Sequence, residues 1–271
     1  MDDRTDARRP DAEITGLLTR LAQRPTPAVV WYGSDGGRVE LSGRVSENWI
    51  AKTANLLVDD LGLMPGDRVV LDPALHWRTL VLAAAAWRTG ACVVLEPTDG
   101  DVRLSALLDR TGAAADALPS PEGSAAAAVA EAEDRLILAY PALAMRLPDD
   151  SVLEPGDIDY CAEIRSHGDR WSGASRPADA DAALKTSDGA LSFAELRDQA
   201  EARAAELGSA PVVHVAVDGW DRDALAGLLA IWAAEGTAVL SDRPRDEALR
   251  RDLAAERVGG QDQKILGLRH L

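Results

Sequence analysis

The sequence predicts an α/β protein with two similar lobes, each a largely parallel sheet with covering helices. The first observation is that short β-branched runs alternate with amphipathic helical segments. The second is a strand–helix–strand unit at 65–97, which requires two parallel strands and a right-handed crossover. The third is a repeat of this order of elements, in which Ser192 corresponds to Ser42 and Trp232 to Trp87. So long a repeat indicates two lobes rather than a solenoid.

The strand–helix–strand unit has clear local signals. Pro65-Gly66 is a turn signal, and the run 68–71 is too short for a helix and suits a buried strand. A helix is predicted at 76–89, because its apolar residues recur at three- and four-residue spacing. Gly90 ends this helix in the left-handed conformation, and a second buried strand follows at 91–95.

The remaining elements of the first half follow from the same signals. They are a helix at 11–23, a strand at 28–32, a hairpin turn at 34–37 with its return strand at 38–41, a helix capped by Ser42 or Ser46, a helix at 102–108 and a strand at 136–140. The Ala-rich stretch 111–133 is predicted as a loop with a short helix. Residues 141–177 are loop-rich, with a helical segment at 157–165, and include the candidate linker.

The second half repeats the first. Its predicted elements are a helix at 195–207, a strand at 212–217, a helix at 225–234, a strand at 237–240 and a last helix at 245–257, before a tail that begins at 259–260. The predicted organisation is a first lobe at 1–150, a linker at 151–180 and a second lobe at 181–271.

Composition excludes several classes of partner. A net charge of -16 over 271 residues, with a pI near 4.6, argues against nucleic acid and anionic membranes. The first residues are charged and lack the apolar core of an export signal, and the longest apolar run, 80–87, is too short to span a bilayer. Cys92 and Cys161 are predicted to be free buried thiols. We therefore expect a cytoplasmic protein without metal, since no ligand spacing such as C-x-x-C or H-E-x-x-H occurs.

Two stretches resemble a known family. Pro65-Gly66-Asp67-Arg68-Val69, with the strand, helix and strand that follow it, is similar to the N-terminal part of AMP-binding, adenylate-forming enzymes such as acyl-CoA synthetases. Asp181-Ala182-Ala183-Leu184-Lys185-Thr186-Ser187 resembles the lead into that family's phosphate loop. The resemblance covers about residues 39–258 and implies the front part of the enzymes' N-terminal domain, with ATP or AMP as cofactor. The whole chain also resembles a small actinobacterial family related to these enzymes.

The match is incomplete at the phosphate loop. The resemblance places Thr186, Ser187 and Gly189 in that loop, but Asp188 stands where the family has a glycine, and no Pro-Lys-Gly follows. A carboxylate about 4 Å from a phosphate charge costs about 4 kcal/mol at an effective dielectric near 20, which offsets most of a millimolar affinity. Trp220 stands at the position of the family's acyl-pocket histidine. The family's later catalytic motifs would lie beyond residue 271. We therefore expect a degenerate loop and no cofactor.

Catalytic candidates come from two loops after equivalent strands, since ligands bind at the carboxyl ends of parallel strands. They are Asp72, Asp218 and, as a base, His76, with Trp77 and Trp220 as pocket residues. The alternative is that the aspartates cap helices and the tryptophans pack between the lobes, and this interpretation is favoured.

Two further histidines have simpler interpretations. His167 is a loop residue near Asp169, and His214 is a core residue within an apolar strand. A pair formed by His167 and Asp169 could serve as a base, but an exposed loop histidine is the commoner outcome.

Three functions remain open from the sequence. The first is a non-catalytic, AMP-binding-like protein that acts as a binding or interaction module, as a homodimer or with a protein partner that covers an exposed apolar face. The second is an enzyme of another class that uses the cleft between the lobes. The third is part of an adenylate-forming ligase that another chain completes. Whether the protein is an enzyme is left open, and the loss of motifs favours that it is not.

Overall fold

The computed structural model describes residues 13–96, 102–111, 113, 124–173 and 177–258. Helices and strands alternate through this part of the chain, so the predicted α/β class is confirmed. The helices are α1 (Ile14–Leu21), α2 (Gly43–Asn55), α3 (Trp77–Thr89), α4 (Ser124–Ala130), α5 (Tyr160–Glu163), α6 (Phe193–Leu207), α7 (Arg222–Ala233) and α8 (Glu247–Ala255). The strands are β1 (Pro27–Tyr32), β2 (Arg38–Ser42), β3 (Arg68–Leu71), β4 (Cys92–Val94), β5 (Leu104–Asp109), β6 (Asp134–Ala139), β7 (Asp157–Asp159), β8 (Ala182–Thr186), β9 (Gly189–Ser192), β10 (Val212–His214) and β11 (Thr237–Ser241).

The strands form two sheets in which most neighbours are parallel. The larger sheet has the order β7-β6-β5-β3-β4-β8-β9, and the smaller sheet has the order β10-β11-β1-β2. The antiparallel pairs are the hairpins β1–β2 and β8–β9, each at one end of its sheet. The carboxyl ends of the parallel strands within each sheet therefore lie at one edge, where loops can form a site.

Each sheet takes strands from both halves of the sequence. Strand β8 lies beside β4, with Leu184 opposite Val93, and β1 lies beside β11, with Val29 opposite Ala238. The run β3-β4-β8-β9 consequently has the same order and directions as β10-β11-β1-β2. The two halves exchange their hairpins, so the sheets do not divide at the predicted linker, 151–180.

Two tryptophans hold the exchanged hairpins at equivalent positions. The indole N–H of Trp87 in α3 donates to the carbonyl of Ala183 in β8 at 2.8 Å, and that of Trp232 in α7 donates to the carbonyl of Ala28 in β1 at 3.1 Å. Ala183 and Ala28 each lie where the register of their hairpin shifts. Such a bulge interrupts the hydrogen-bond ladder, so the indole supplies a donor to a buried carbonyl beside it.

Helix boundaries follow the capping signals of the sequence. Ser42, rather than Ser46, caps α2 by accepting from the N–H of Val45 at 3.2 Å. Ser192 caps α6 in the same way, and the Glu195 carboxylate accepts from the Ser192 N–H in return. Gly90 ends α3 with φ 83°, as predicted. Because side chains strain this conformation, glycine is the suitable residue there.

Helix α3 lies between the two sheets. It contacts β1 of the smaller sheet and β3, β4 and β5 of the larger one. All of its residues are buried, and the four alanines at 83–86 allow close approach of the surrounding elements. The loop that leads into α3 therefore runs into the interior of the protein, which decides the environment of Asp72 and His76.

One predicted element is wrong, and two others are confirmed only in part. Residues 102–108 do not form a helix, because Leu104–Asp109 is a strand between β3 and β6 with mostly buried side chains. The prediction failed because the spacing of apolar residues in so short a run does not distinguish a helix from a strand. Of 157–165, Asp157–Asp159 is strand β7, whereas Tyr160–Glu163 is an α-helix that continues as a short 3-10 helix at Ile164–Ser166. The strand predicted at 212–217 ends at His214. The predicted tail at 259–260 lies outside the described residues.

Candidate functional site

Asp72 lies at the end of β3 and is buried. One of its carboxylate oxygens accepts from the N–H of Ala74 at 2.9 Å and from Arg110 at 3.0 Å, and the other accepts from the N–H of Leu108 at 3.0 Å. Burial raises the pKa of Asp72, and the charge of Arg110 acts against this rise. These donors come from the loop and from the neighbouring strand β5 and its end, so the carboxylate fixes that connection.

His76 is buried and uses both ring nitrogens in structural hydrogen bonds. Nδ1 accepts from the N–H of Arg78 at 3.1 Å, which caps α3, and Nε2 lies 3.0 Å from the carbonyl of Tyr140. A carbonyl only accepts, so Nε2 carries the hydrogen of a neutral ring. Burial, and next the charge of Arg78, lower the pKa of His76 well below its usual value. A general base needs a nitrogen available to substrate, and neither nitrogen is available here.

Asp218 lies apart from the other two candidates. Its side chain is 99% exposed and forms an ion pair with Arg245 at 2.9 Å. Because Asp72 and His76 are buried, the structure does not bring the three predicted catalytic residues together.

The two loops that carry the candidates do meet, through Trp220. Its backbone N–H donates to the carbonyl of Pro73 at 2.7 Å, and its indole N–H donates to the hydroxyl of Thr79 at 2.8 Å. Trp77, the other predicted pocket residue, packs edge-on against Trp49 at 5.3 Å between ring centres. Both predicted pocket tryptophans are buried, and Trp220 also lines the cleft beside the Ser187 turn, as predicted.

The other histidines and the cysteines are placed as follows. His214 is buried in β10, and burial, with a smaller effect from Arg245, lowers its pKa to about 4. His167 lies 3.1 Å from the carboxylate of Asp60 rather than pairing with Asp169, its sequence neighbour. Cys92 and Cys161 are free and buried.

The resembling phosphate loop is a tight hairpin turn. Thr186 ends β8 opposite Gly189, which begins β9. Gly189 has φ 118°, a conformation that favours glycine, and the Thr186 hydroxyl lies 3.4 Å from the Gly189 carbonyl. Only Ser187 and Asp188 connect the two strands, so the backbone turns back at once and feeds the strand before α6.

The carboxylate of Glu96 occupies the donors of this turn. A single oxygen of Glu96 accepts both the backbone N–H of Ser187, at 3.1 Å, and the Ser187 hydroxyl. Glu96 follows β4, the parallel neighbour of β8. Backbone and hydroxyl donors that converge on one anionic oxygen are a common way of holding an oxyanion, and here the oxyanion belongs to the protein.

The cleft beside this turn is mainly acidic. It has a volume of about 200 Å³, and its lining includes Glu96, Asp188, Asp221, Arg222 and Asp223. Asp221 is engaged as the cap of α7, and Asp223 pairs with an arginine of α6. The four carboxylates outnumber the one guanidinium, so the lining disfavours a multiply charged anion.

A second serine and carboxylate cluster was not anticipated from the sequence. In the turn of β1–β2, the Ser34 N–H lies 2.8 Å from Asp242 and 2.8 Å from the Tyr140 hydroxyl. Tyr140 donates to Asp242 at 2.6 Å, and burial is the main cause that raises the pKa of each of these two groups. Asp242 follows β11 as Glu96 follows β4. The sequence repeat could have indicated this second carboxylate if the comparison of the two halves had been continued beyond these two strands.

The described residues offer neither a metal-ion cluster nor a membrane-spanning helix. Among the described residues, no cluster of three or more His, Cys, Asp or Glu side chains is arranged to hold a metal ion. Within the same residues, none of the helices has both the length and the apolar character needed to cross a bilayer.

The parallel-rich α/β architecture is that of the AMP-binding N-terminal domains of acyl-CoA synthetases. A Brucella canis acyl-CoA synthetase matches with a TM-score of 0.69 at 16% identity, over 96% of this chain and 50% of that one. A Mycobacterium tuberculosis fatty acyl-CoA synthetase matches with 0.61 at 16%, over 91% and 48%. MatB from Rhodopseudomonas palustris matches with 0.60 at 17%, over 89% and 47%. The chain spans about half the length of these structures, and at this identity the likeness shows the fold.

Sequence comparison assigns the family. No family model matches the chain. A protein of Mycobacterium tuberculosis, described as a TIGR03089 family protein, is 31% identical over 235 residues, which are 86% of this chain and 89% of that protein. The chain therefore belongs to the TIGR03089 family.

Proposed function

We propose that this protein is a non-catalytic relative of the AMP-binding enzymes that acts as a binding or interaction module. The observation that carries the proposal is the Glu96 carboxylate on the Ser187 turn, where the resemblance expects a phosphate loop. The donors of the turn are thereby used within the protein, and Asp188 adds a second carboxylate beside them.

Electrostatics support the absence of nucleotide binding. A phosphate at Ser187 would have to displace Glu96 and lie near Asp188. One unit charge pair at about 4 Å costs about 1 kcal/mol in water and about 4 kcal/mol at an effective dielectric of 20. A millimolar affinity corresponds to about 4 kcal/mol, so at a dielectric of 20 the repulsion by Asp188 alone offsets it, and the displacement of Glu96 adds a further cost.

The catalytic candidates give the second line of support. Asp72 and His76 are buried, and their polar atoms bond to the protein's own backbone and side chains, whereas Asp218 is on the surface. Acid–base chemistry requires such groups to be within hydrogen-bond distance of a substrate, so the arrangement favours a structural role for Asp72 and His76 and leaves Asp218 apart from both.

An exposed apolar surface supports an interaction role. Leu143 is 80% exposed and Met145 is 57% exposed, and both lie in the loop after β6. Large apolar side chains close together on a surface are typical of contact sites with another protein. A homodimer and a complex with a different protein are both consistent with this surface.

Two measurements on the purified chain test the proposal. Isothermal titration with Mg·ATP should give no heat of binding, and pyrophosphate exchange with a panel of carboxylic acids should give no labelled ATP. Micromolar ATP binding, or exchange by the chain alone, would overturn it. Adenylate formed only after a second chain is added would instead favour the ligase completed by a partner.

The interaction role needs its own comparison. Light scattering should show association that weakens in the double variant Leu143→Ser and Met145→Ser. The matched control is Met64→Ser, since Met64 is an exposed methionine in a loop before β3. If the double variant associates as strongly as the unmodified protein and the control do, whether with itself or with a different protein, the surface of Leu143 and Met145 is not the interface.

A further inference from the structure

The two exchanged hairpins share one device. In each turn, a serine donates its backbone N–H and its hydroxyl to a single carboxylate group. Ser34 donates to Asp242, which follows β11, and Ser187 donates to Glu96, which follows β4. In both cases the carboxylate follows the strand that lies parallel to the first strand of the hairpin. The turn geometry therefore presents a pair of donors that an oxyanion satisfies.

The two copies differ in how firmly the carboxylate is held. Asp242 is buried and also accepts from the Tyr140 hydroxyl at 2.6 Å, which itself lies 2.8 Å from the hydroxyl of Ser34. Glu96 and Ser187 are exposed, and the cleft opens beside them. Water competes for exposed donors, so the Glu96 contact is the weaker of the two, and its carboxylate can leave the turn.

We infer that Glu96 is the built-in occupant of an oxyanion site at the Ser187 turn, and that Glu96 and Asp188 together exclude external anions from it. This inference rests on the proposed function, because it treats the turn as occupied by the protein itself. Glu96 fills the donor pair directly, whereas Asp188, next to Ser187 in the same turn, acts through its charge. The donor pair itself remains able to hold an anion.

Inorganic phosphate is the probe, and the backbone amide of Ser187 in a ¹⁵N-labelled protein is the reporter. The unmodified chain should show no saturable shift of this amide with millimolar phosphate. Glu96→Ala should show a saturable shift, with a half-saturating phosphate concentration at least tenfold below the highest concentration at which the unmodified chain stays silent. The double variant Glu96→Ala and Asp188→Gly should bind phosphate more tightly again. Glu96→Gln serves if the alanine variant is poorly folded, since it keeps the size and removes the charge.

Two controls separate this site from a general effect of charge. Glu201→Ala removes one exposed negative charge from α6 and should leave the Ser187 amide silent. The Ser34 amide should stay silent in every variant, because Asp242 and Tyr140 still hold its donors. Equal responses of the unmodified chain and Glu96→Ala, or a silent Ser187 amide in the double variant, would overturn the inference. Neither result bears on Mg·ATP turnover by the unmodified chain, which tests the proposed function.

Discussion

The exchange of hairpins predicts that two distant tryptophans make equal contributions to stability. Trp87→Phe and Trp232→Phe each remove an indole N–H from a buried strand carbonyl, of Ala183 in one case and Ala28 in the other. A buried acceptor left without its donor costs about 1–3 kcal/mol, and the smaller ring adds a cavity cost. We expect each variant to lower the free energy of unfolding by about 2–4 kcal/mol, and the two values to agree within about 1 kcal/mol.

Trp77→Phe is the matched control. Trp77 is also buried, but its indole N–H has no hydrogen-bond partner among the described residues. This variant has a similar loss of ring volume and no loss of a hydrogen bond, so it should cost about 1–2 kcal/mol less than the other two. Urea unfolding followed by far-ultraviolet circular dichroism is the assay, since tryptophan fluorescence changes with the substitution itself. Equal losses in all three variants would refute the role of the indole hydrogen bonds.

Two more predictions concern backbone conformation and pH. Glu235, at the position equivalent to Gly90, has φ 59°, a conformation that favours glycine. Glu235→Gly should therefore raise the free energy of unfolding by about 0.5–1 kcal/mol, whereas Gly90→Ala should lower it by about 1 kcal/mol or more. Thermal melting of both variants checks this, and a lower melting temperature for Glu235→Gly would contradict it. Burial lowers the pKa of His214 to about 4, so between pH 6.5 and 4 the unfolded chain binds a proton at this residue that the folded protein does not. The contribution of His214 to stability is therefore complete above pH 6.5. As the pH is lowered below 6.5, the free energy of unfolding should fall by up to about 1.4 kcal/mol per pH unit. His214→Gln should reduce that slope in urea unfolding at pH 7, 6 and 5, and an unchanged slope would exclude His214 as its source.

The sequence was sufficient for the α/β class and for most elements, because caps and periodicity are local signals. Gly90 and Ser42 each mark a helix boundary that the structure confirms. The correspondence of Trp87 with Trp232 also has a structural counterpart in their equivalent hydrogen bonds. The exchange of the hairpins was not predictable in this way, since strand pairing across the chain depends on tertiary packing that no local pattern records.

The site was predictable only where its features are local in the sequence. The carboxylate of Asp188 was predicted from the resemblance, because Asp188 stands where the family's phosphate loop has a glycine. Glu96 was not identified, because its contact with Ser187 joins residues that are far apart in the chain and adjacent only after β8 pairs with β4. The helix predicted at 102–108 failed on a different ground: the short apolar run of β5 fits either element until its neighbours β3 and β6 are known.

A crystal of the unmodified protein soaked in Mg·ATP tests the central claim most directly. The account predicts electron density for the Glu96 carboxylate on the Ser187 N–H and hydroxyl, and no triphosphate at the turn. A triphosphate bound to Ser187 beside Asp188, with Glu96 displaced, would contradict it.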